Sequence, residues 1–349
     1  MKPMLKAIVL AGVGLLCVSA AAHAERAARL SYYLNPQHVY AKSAIEPFVK
    51  EVKERTNGEL VIQTYPSEQL GKAADSIRTL QSGIADIGWV TFTYHAQEMP
   101  ATQIANLPLG LDGTTAAAIL WRAIQTPGII KDEWDRLGIV PLMVFANPAY
   151  EIHSTDKPLT GFDSLKGLKL RSPGATYVET IKRMGATPYE VATPDQYEAM
   201  QRGLVDSTIF SFSSWESFKM NELLKHTTIG NNVVTTGLAV VTTPRFLKSL
   251  NEEQRGVLKD LGRKYSQIGT ETAANLNAEA LQRYKAAGLQ VYEWSDEDKA
   301  KLVKALDGVS EEWTKKAKAA NIDAEALFEQ FNGFRKDYES GNEAFPVIN

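Results

Sequence analysis

The stretch DSLKGLKLRSPGATYVETIKRMGATPYEV, residues 163–191, predicts a strand, a helix and a second strand in immediate succession. Residues 168–171 alternate apolar and basic side chains, as a half-buried strand does. A Ser-Pro-Gly turn at 172–174 ends this strand, since proline has no amide hydrogen to donate. The spacing then predicts a helix over 175–184 and a returning strand over 188–191. Two strands joined through a helix in this way run parallel in one sheet.

Arg171 follows from this stretch as a candidate ligand residue, because it stands at the carboxyl end of a parallel strand. Ligands of open α/β sheets bind at that edge. A guanidinium beside a Pro-Gly turn can present a planar pair of donors to a carboxylate. The alternative is a solvated surface arginine, which is the commoner situation. The local pattern alone leaves both open.

The same order of elements is predicted twice along the chain. Strands at 30–34, 60–65 and 86–90 alternate with helices in the first part, and the middle of the chain repeats the pattern. LQSGIAD at 80–86 matches MQRGLVD at 200–206, and in each a glycine ends a helix before the next strand. We therefore expect two similar α/β halves, with a small ligand held in the cleft between them.

Thr193-Pro194-Asp195-Gln196 is predicted as a capping box for the next helix, with proline at the first helical position. Good helix formers from 251 to 287 predict a long helix that braces both halves, and 296–339 is charged and helical.

The predicted fold class is α/β, a two-domain clamshell, which suits a chain of 349 residues. Residues 1–24 are predicted as a signal peptide and 25–150 as the first domain, with a later strand or helix returning from the C-terminal half. Residues 151–243 are predicted as the second domain, and 244–349 as a helical region that braces both.

The leader has the features of a secretory signal: Lys2 and Lys6, an apolar segment at 7–22, and Ala-His-Ala at 22–24. Its apolar segment is shorter than the roughly 20 residues needed to span a membrane. We therefore expect cleavage, with no membrane insertion afterwards. Cys17, the only cysteine, lies inside the leader, so the mature chain has no disulfide or thiol. These features predict a bacterial periplasmic protein.

Composition and motifs argue against several functions. Loss of the two leader lysines moves the formal net charge from −3 to −5, and no basic cluster favours nucleic acid. No nucleophile elbow, phosphate-binding loop, dinucleotide motif or helical histidine pair is found. We therefore expect no catalytic residue, no metal and no cofactor, and a protein that is not an enzyme. Carboxylate-based catalysis leaves little pattern, so a periplasmic enzyme acting on a carboxylic acid stays an alternative.

Three passages resemble the substrate-binding proteins of tripartite ATP-independent periplasmic (TRAP) transporters. They are LKGLKLRSP at 165–173, YPSEQLG at 65–71, and QRGLVD at 201–206 followed by Trp-Glu at 215–216. The resemblance implies a clamshell that closes on an organic acid and delivers it to a membrane permease driven by an ion gradient. It also implies that Arg171 holds the carboxylate of that acid.

Departures from the family pattern indicate the ligand. Tyr150 stands about where some members have a second arginine, and Phe210 where sialic-acid-binding members have asparagine. Fewer polar partners and more rings predict a monocarboxylate with an apolar or aromatic body. The alternative ligands are a C4-dicarboxylate or a sugar acid.

The predicted ligand-binding set lies near strand ends, while Phe92 and Tyr94 are expected in the core. For His38, just after the first strand, capping the next helix is an equal alternative. The set is Arg171, Phe210, Trp89, Tyr150, Trp215 and His38.

Overall fold

The computed structural model describes residues 26–347. The predicted signal peptide, residues 1–24 with Cys17, therefore lies outside the described residues.

The described strands form two separate sheets. They are β1 (Arg26–Ser31), β2 (Leu60–Tyr65), β3 (Ile87–Thr91), β4 (Val140–Ala146), β5 (Glu151–Ser154), β6 (Lys169–Ser172), β7 (Thr187–Glu190), β8 (Ser207–Phe210), β9 (His226–Ile229), β10 (Gly237–Thr242) and β11 (Gln290–Glu293).

Helices pack around both sheets and continue to the C-terminal part of the chain. They are α1 (Glu46–Arg55), α2 (Ser76–Gln81), α3 (Gly113–Gln125), α4 (Ile129–Leu137), α5 (Val178–Arg183), α6 (Gln196–Gln201), α7 (Pro244–Lys248), α8 (Glu252–Ala286), α9 (Asp296–Ala319) and α10 (Ala324–Glu339).

The first lobe is built on a five-stranded sheet with the order β2-β1-β3-β10-β4. Strand β1 runs parallel to β2 and β3, and β10 pairs antiparallel with β3 and β4. The second lobe has a six-stranded sheet with the order β11-β9-β5-β8-β6-β7. Here β6 runs parallel to β7 and β8, as the opening stretch predicts, while β5 is antiparallel to β8 and β9. The predicted α/β fold with two domains is confirmed.

Strands β10 and β11 do not belong to the domains whose predicted residue ranges contain them. Strand β10 belongs to the first sheet, although its residues fall at the end of the range 151–243 given to the second domain. It is the strand expected to return to the first domain. Strand β11 falls in the range given to the helical region, yet it pairs with β9 in the second sheet. Pairing between distant segments, which local patterns do not encode, decides both placements.

The internal repeat holds at the level of single hydrogen bonds. In the first lobe the Asp86 carboxylate accepts a hydrogen bond from the backbone amide of Arg29 at 2.9 Å. In the second lobe the Asp206 carboxylate accepts one from the amide of Lys169 at 2.8 Å. Asp86 directly precedes β3, and Asp206 directly precedes β8. Each carboxylate links the start of its strand to the neighbouring parallel strand, so the two lobes share the same local arrangement.

Helix α8 braces both lobes, as predicted. Asn251 and Gln254 form its capping box, in which each side chain bonds the other's backbone amide. Toward the first lobe, α8 approaches β4 so closely that a Cβ at Gly262 would overlap the carbonyl oxygen of Leu142. Toward the second lobe, the Tyr284 ring stacks on a tryptophan side chain at 4.9 Å between centroids.

We expect Gly262→Ala to lower the free energy of unfolding by about 1–3 kcal/mol, because the added methyl forces α8 away from β4. Gly256→Ala is the matched control, since Gly256 is an exposed residue of the same helix and an added methyl group there would meet no other atom within 4 Å. This control should gain about 0.5–1 kcal/mol from helix propensity. Denaturant unfolding of both variants measures the difference. Equal stabilisation by the two substitutions would contradict the close packing of α8 on β4.

Candidate ligand-binding site

A narrow cavity lies between the two lobes, and its free volume of about 10 Å³ has room for about one water molecule. Both lobes contribute to its wall, the first through the ends of β1 and β3 and the second through the ends of β6 and β8. The ring-bearing lining residues are Tyr33, His38, Tyr40, Trp89, Tyr150, Phe210 and Phe218. This is the interlobe cleft that the repeated α/β halves predict.

Arg171 lies near the end of β6 and is fully buried. Its Nε donates to the carbonyl oxygen of Val191 at 2.8 Å, and its Nη2 donates to the Thr193 hydroxyl at 2.7 Å. Its Cζ lies 5.8 Å from the centroid of the Phe210 ring. Arg171 is not itself among the lining residues, but both Thr193 and Phe210 are. The guanidinium is therefore held directly against the wall of the cavity.

No carboxylate balances the positive charge of Arg171 within residues 26–347. Its Nη1 is buried and has no hydrogen-bond partner, and no carboxylate among residues 26–347 forms an ion pair with it. Burial lowers the pKa of Arg171 from its ordinary value, since desolvation disfavours the charged form. A buried, unpaired charge costs several kcal/mol, so such groups are normally paired. The alternative of a solvated surface arginine is excluded, and the open donor points to an anionic ligand.

Tyr94 links the first lobe to this cation. Its hydroxyl donates to the Thr193 hydroxyl oxygen and accepts from the Thr193 amide, each at 2.9 Å. The expectation that Tyr94 lies in the core is wrong, because it bridges the lobes, whereas Phe92 does pack in the core against Trp134. The predicted capping box at Thr193 is also wrong. The Thr193 side chain makes no cap hydrogen bond and instead accepts from Arg171 and Tyr94.

Aromatic rings form much of the remaining wall. Trp89 lies 5.5 Å from both Tyr40 and Phe145, and its ring is stacked on that of Phe145. On the second-lobe side, Phe210 lies 5.9 Å from Tyr150. Trp89, Phe210 and Tyr150, three of the predicted ligand residues, are therefore brought together at one cavity.

His38 also lines the cavity and contacts both lobes. Its Nδ1 accepts from the backbone amide of Tyr40 at 3.2 Å, so the ring hydrogen is on Nε2, which faces the Ser214 hydroxyl at 3.3 Å. Burial lowers the pKa of His38 to about 3, which keeps the ring neutral. His38 thus accepts a hydrogen bond from a backbone amide in the next helical segment and lines the cavity, while its contact with a ligand stays a prediction.

Trp215, the sixth predicted residue, is not among those that line this cavity. Its ring packs edge-on against His153 at 4.8 Å and stacks on Tyr284 of α8. Short 3₁₀ turns after β8 direct it toward the bracing helix instead of the cleft. In this structure Trp215 joins α8 to the second lobe.

Sequence reasoning missed Tyr33, Tyr94 and Thr193. Tyr33 follows the end of β1, and matching Arg29 to Lys169 through the repeat makes it the counterpart of Pro173, at the cleft end of the first lobe's equivalent strand. The repeat could therefore have identified Tyr33. No local sequence pattern marks Thr193 as a hydrogen-bond partner of Arg171, because residues 193–196 fit the start of a helix equally well.

His153 holds the backbone behind Phe210. Its Nε2 donates to the Phe210 carbonyl oxygen at 3.0 Å, and its Nδ1 accepts from the Thr227 hydroxyl at 2.7 Å. The tautomer follows because a carbonyl oxygen can only accept. Burial lowers the pKa of His153 to about 3.

This shift predicts a pH dependence of stability. Between about pH 6.5 and pH 3 the unfolded chain binds a proton at His153 that the folded chain does not, so stability falls as the pH falls. We expect His153→Gln to make the decline from pH 6 to pH 4 shallower by about 1.4 kcal/mol per pH unit. Urea unfolding across this range measures the slope. His226→Gln, at a partly exposed histidine, should change it less, and parallel curves for wild type and His153→Gln would refute a neutral buried ring.

Within residues 26–347 no group of three or more His, Cys, Asp or Glu side chains could hold a metal ion. None of the helices in that range is long and apolar enough to cross a membrane.

Two α/β lobes that meet over a buried cation define a two-lobed binding protein. Residues 30–316 match the model of the DctP family, described as bacterial extracellular solute-binding protein, family 7, and the chain belongs to this family. The C4-dicarboxylate-binding periplasmic protein DctP of Rhodobacter capsulatus is 28% identical over 317 residues, which cover 85% of this chain and 89% of that protein.

Solved structures show the same fold. A TRAP solute-binding protein from a marine metagenome, specific for aromatic acid ligands and in complex with metahydroxyphenylacetate, aligns with a TM-score of 0.84 and 21% identity. The alignment covers 90% of this chain and all of that one. A TRAP periplasmic solute-binding protein from Bordetella bronchiseptica with bound (R)- and (S)-mandelate aligns with a TM-score of 0.81 and 22% identity, covering 90% and 99%. The resemblance to TRAP solute-binding proteins is confirmed.

Proposed function

We propose that this chain is a periplasmic receptor that captures a small monocarboxylate with an apolar or aromatic body and delivers it to the membrane permease of a TRAP transporter. The single observation that carries the proposal is the buried Arg171 guanidinium, whose Nη1 has no partner among the described residues. Export through the signal peptide predicted at residues 1–24 agrees with a periplasmic location.

The charge of the site favours a carboxylate. A carboxylate accepts charge-assisted hydrogen bonds from a guanidinium and neutralises it at the same time. Such a bond contributes roughly 1.5–3 kcal/mol net to the free energy of binding. The contribution is larger when the buried cation has no other partner. A neutral ligand would leave the charge of Arg171 uncompensated.

The lining supports one carboxylate and an apolar remainder. None of the side chains that line the cavity is lysine or arginine, so a second carboxylate would meet no second cation there. Aromatic rings, Trp89 and Phe210 among them, offer faces to an apolar or aromatic body. The Rhodobacter capsulatus relative is named for C4-dicarboxylates, and the two structural neighbours hold aromatic acids, so a dicarboxylate is the alternative that most needs testing.

Binding and closure are coupled through the same charge. When the lobes are apart, water solvates the guanidinium, and closing without an anion removes that water with no replacement. An anion that enters with closure supplies the missing partner. The ligand therefore binds the closed form much more strongly than the open form, which is the condition for a ligand-driven hinge motion.

Calorimetric titration with benzoate, mandelate, succinate and galacturonate tests the ligand class. We expect benzoate or mandelate to bind at least 10-fold more tightly than either of the other two acids, and Arg171→Gln to weaken that binding by about 10- to 100-fold or more. The fold of the variant is checked by circular dichroism.

Arg202→Gln provides the matched control, because Arg202 is an exposed arginine of the second lobe paired with Glu198. This control should bind like wild type. Tighter binding of succinate would establish the dicarboxylate alternative, while unchanged affinity of a folded Arg171→Gln would refute the role of the cation. Chemical turnover of the bound acid, followed by mass spectrometry, would favour an enzyme.

A further inference from the structure

A short chain of hydrogen bonds in the first lobe ends at the cavity. The indole Nε1 of Trp89 donates to the Thr91 hydroxyl oxygen at 3.1 Å. The Thr91 hydroxyl in turn donates to the phenolic oxygen of Tyr33 at 3.2 Å. All three residues line the cavity, and Tyr33 is nearly buried.

The geometry gives the direction of each hydrogen bond in this series. The indole N–H can only donate, so Thr91 accepts from Trp89, and the Thr91 hydroxyl is placed to donate to the Tyr33 oxygen. Tyr33 therefore uses its oxygen as an acceptor and still has its hydroxyl hydrogen to donate. Among the described residues, none accepts a hydrogen bond from the Tyr33 hydroxyl.

Tyr33 is connected to the cation through Tyr94 and Thr193. The Tyr33 ring packs edge-on against Tyr94, 6.0 Å between centroids, and Tyr94 bonds the same Thr193 hydroxyl as Arg171 does. Arg171 is also near enough to affect the pKa of Tyr33, which burial raises well above its ordinary value, so the phenol stays protonated and able to donate.

We propose that Tyr33 is a second recognition residue for the carboxylate and donates to it from the first lobe while Arg171 donates from the second. The inference rests on the proposed function, since it concerns the same ligand group. A carboxylate has only acceptor atoms and so satisfies both residues at once, whereas an ammonium or alkyl group satisfies neither. One anionic group thereby spans the two lobes, and Tyr33 makes closure depend on it.

The test is Tyr33→Phe, which removes one hydroxyl and leaves the ring. Its affinity, measured by calorimetry, should be about 10- to 100-fold weaker than wild type, as expected for loss of a donor to a charged group. Thr91→Val should give a smaller loss, because Tyr33 keeps its donor but is no longer oriented. Tyr65→Phe is the control, since Tyr65 lies at the end of β2 with its hydroxyl on Gln63, and should bind like wild type.

The probe is whichever of benzoate, mandelate, succinate and galacturonate binds wild type most tightly, because each carries a carboxylate. If succinate is that acid, the proposed ligand class fails while the role of Tyr33 is still tested. Unchanged affinity of folded Tyr33→Phe for the chosen acid would overturn the inference and leave the proposed function intact. Binding of none of the four acids to wild type would overturn both.

Discussion

The buried guanidinium of Arg171 lies where the two lobes meet. It donates hydrogen bonds to Val191 and Thr193, but no carboxylate among residues 26–347 pairs with it. A protein that keeps such a group in its interior accepts a cost of several kcal/mol. In the function we propose, the missing charge comes with the ligand. Thr193 and Tyr94 hold the guanidinium where the lobes meet, and aromatic rings line the cavity beside it.

The internal repeat explains how two lobes with the same local backbone arrangement present different side chains to the cavity. Arg29 of β1 and Lys169 of β6 occupy equivalent positions, each bonded through its amide to an aspartate. By the same register, Arg171 in the second lobe corresponds to Ser31 in the first. The cation is thus on one wall only, and the facing wall contributes neutral phenols. This asymmetry suits a ligand with one charged end.

The fold was predictable because its signals are local, and so was the position of Arg171 at the end of β6, although the local pattern left open whether this arginine is buried. Alternation, a Pro-Gly turn and helix-ending glycines define β6, α5 and β7, and the run of helix formers defines α8. Contacts between distant segments were not predictable. Thr193 fits a helix start by sequence yet bonds Arg171 and Tyr94, and Trp215 sits beside α8 because short turns redirect it. Tyr33 could have been predicted, since the repeat makes it the counterpart of Pro173 and both line the cavity.

Small-angle X-ray scattering of Arg171→Met without ligand tests the central claim most directly. If the unpaired charge opposes closure, replacing it with an apolar side chain of similar length removes the opposition. We expect the wild-type radius of gyration to fall when its acid is added, and ligand-free Arg171→Met to have a smaller radius than ligand-free wild type. A ligand-free Arg171→Met as expanded as ligand-free wild type would contradict the claim that this charge controls the lobes.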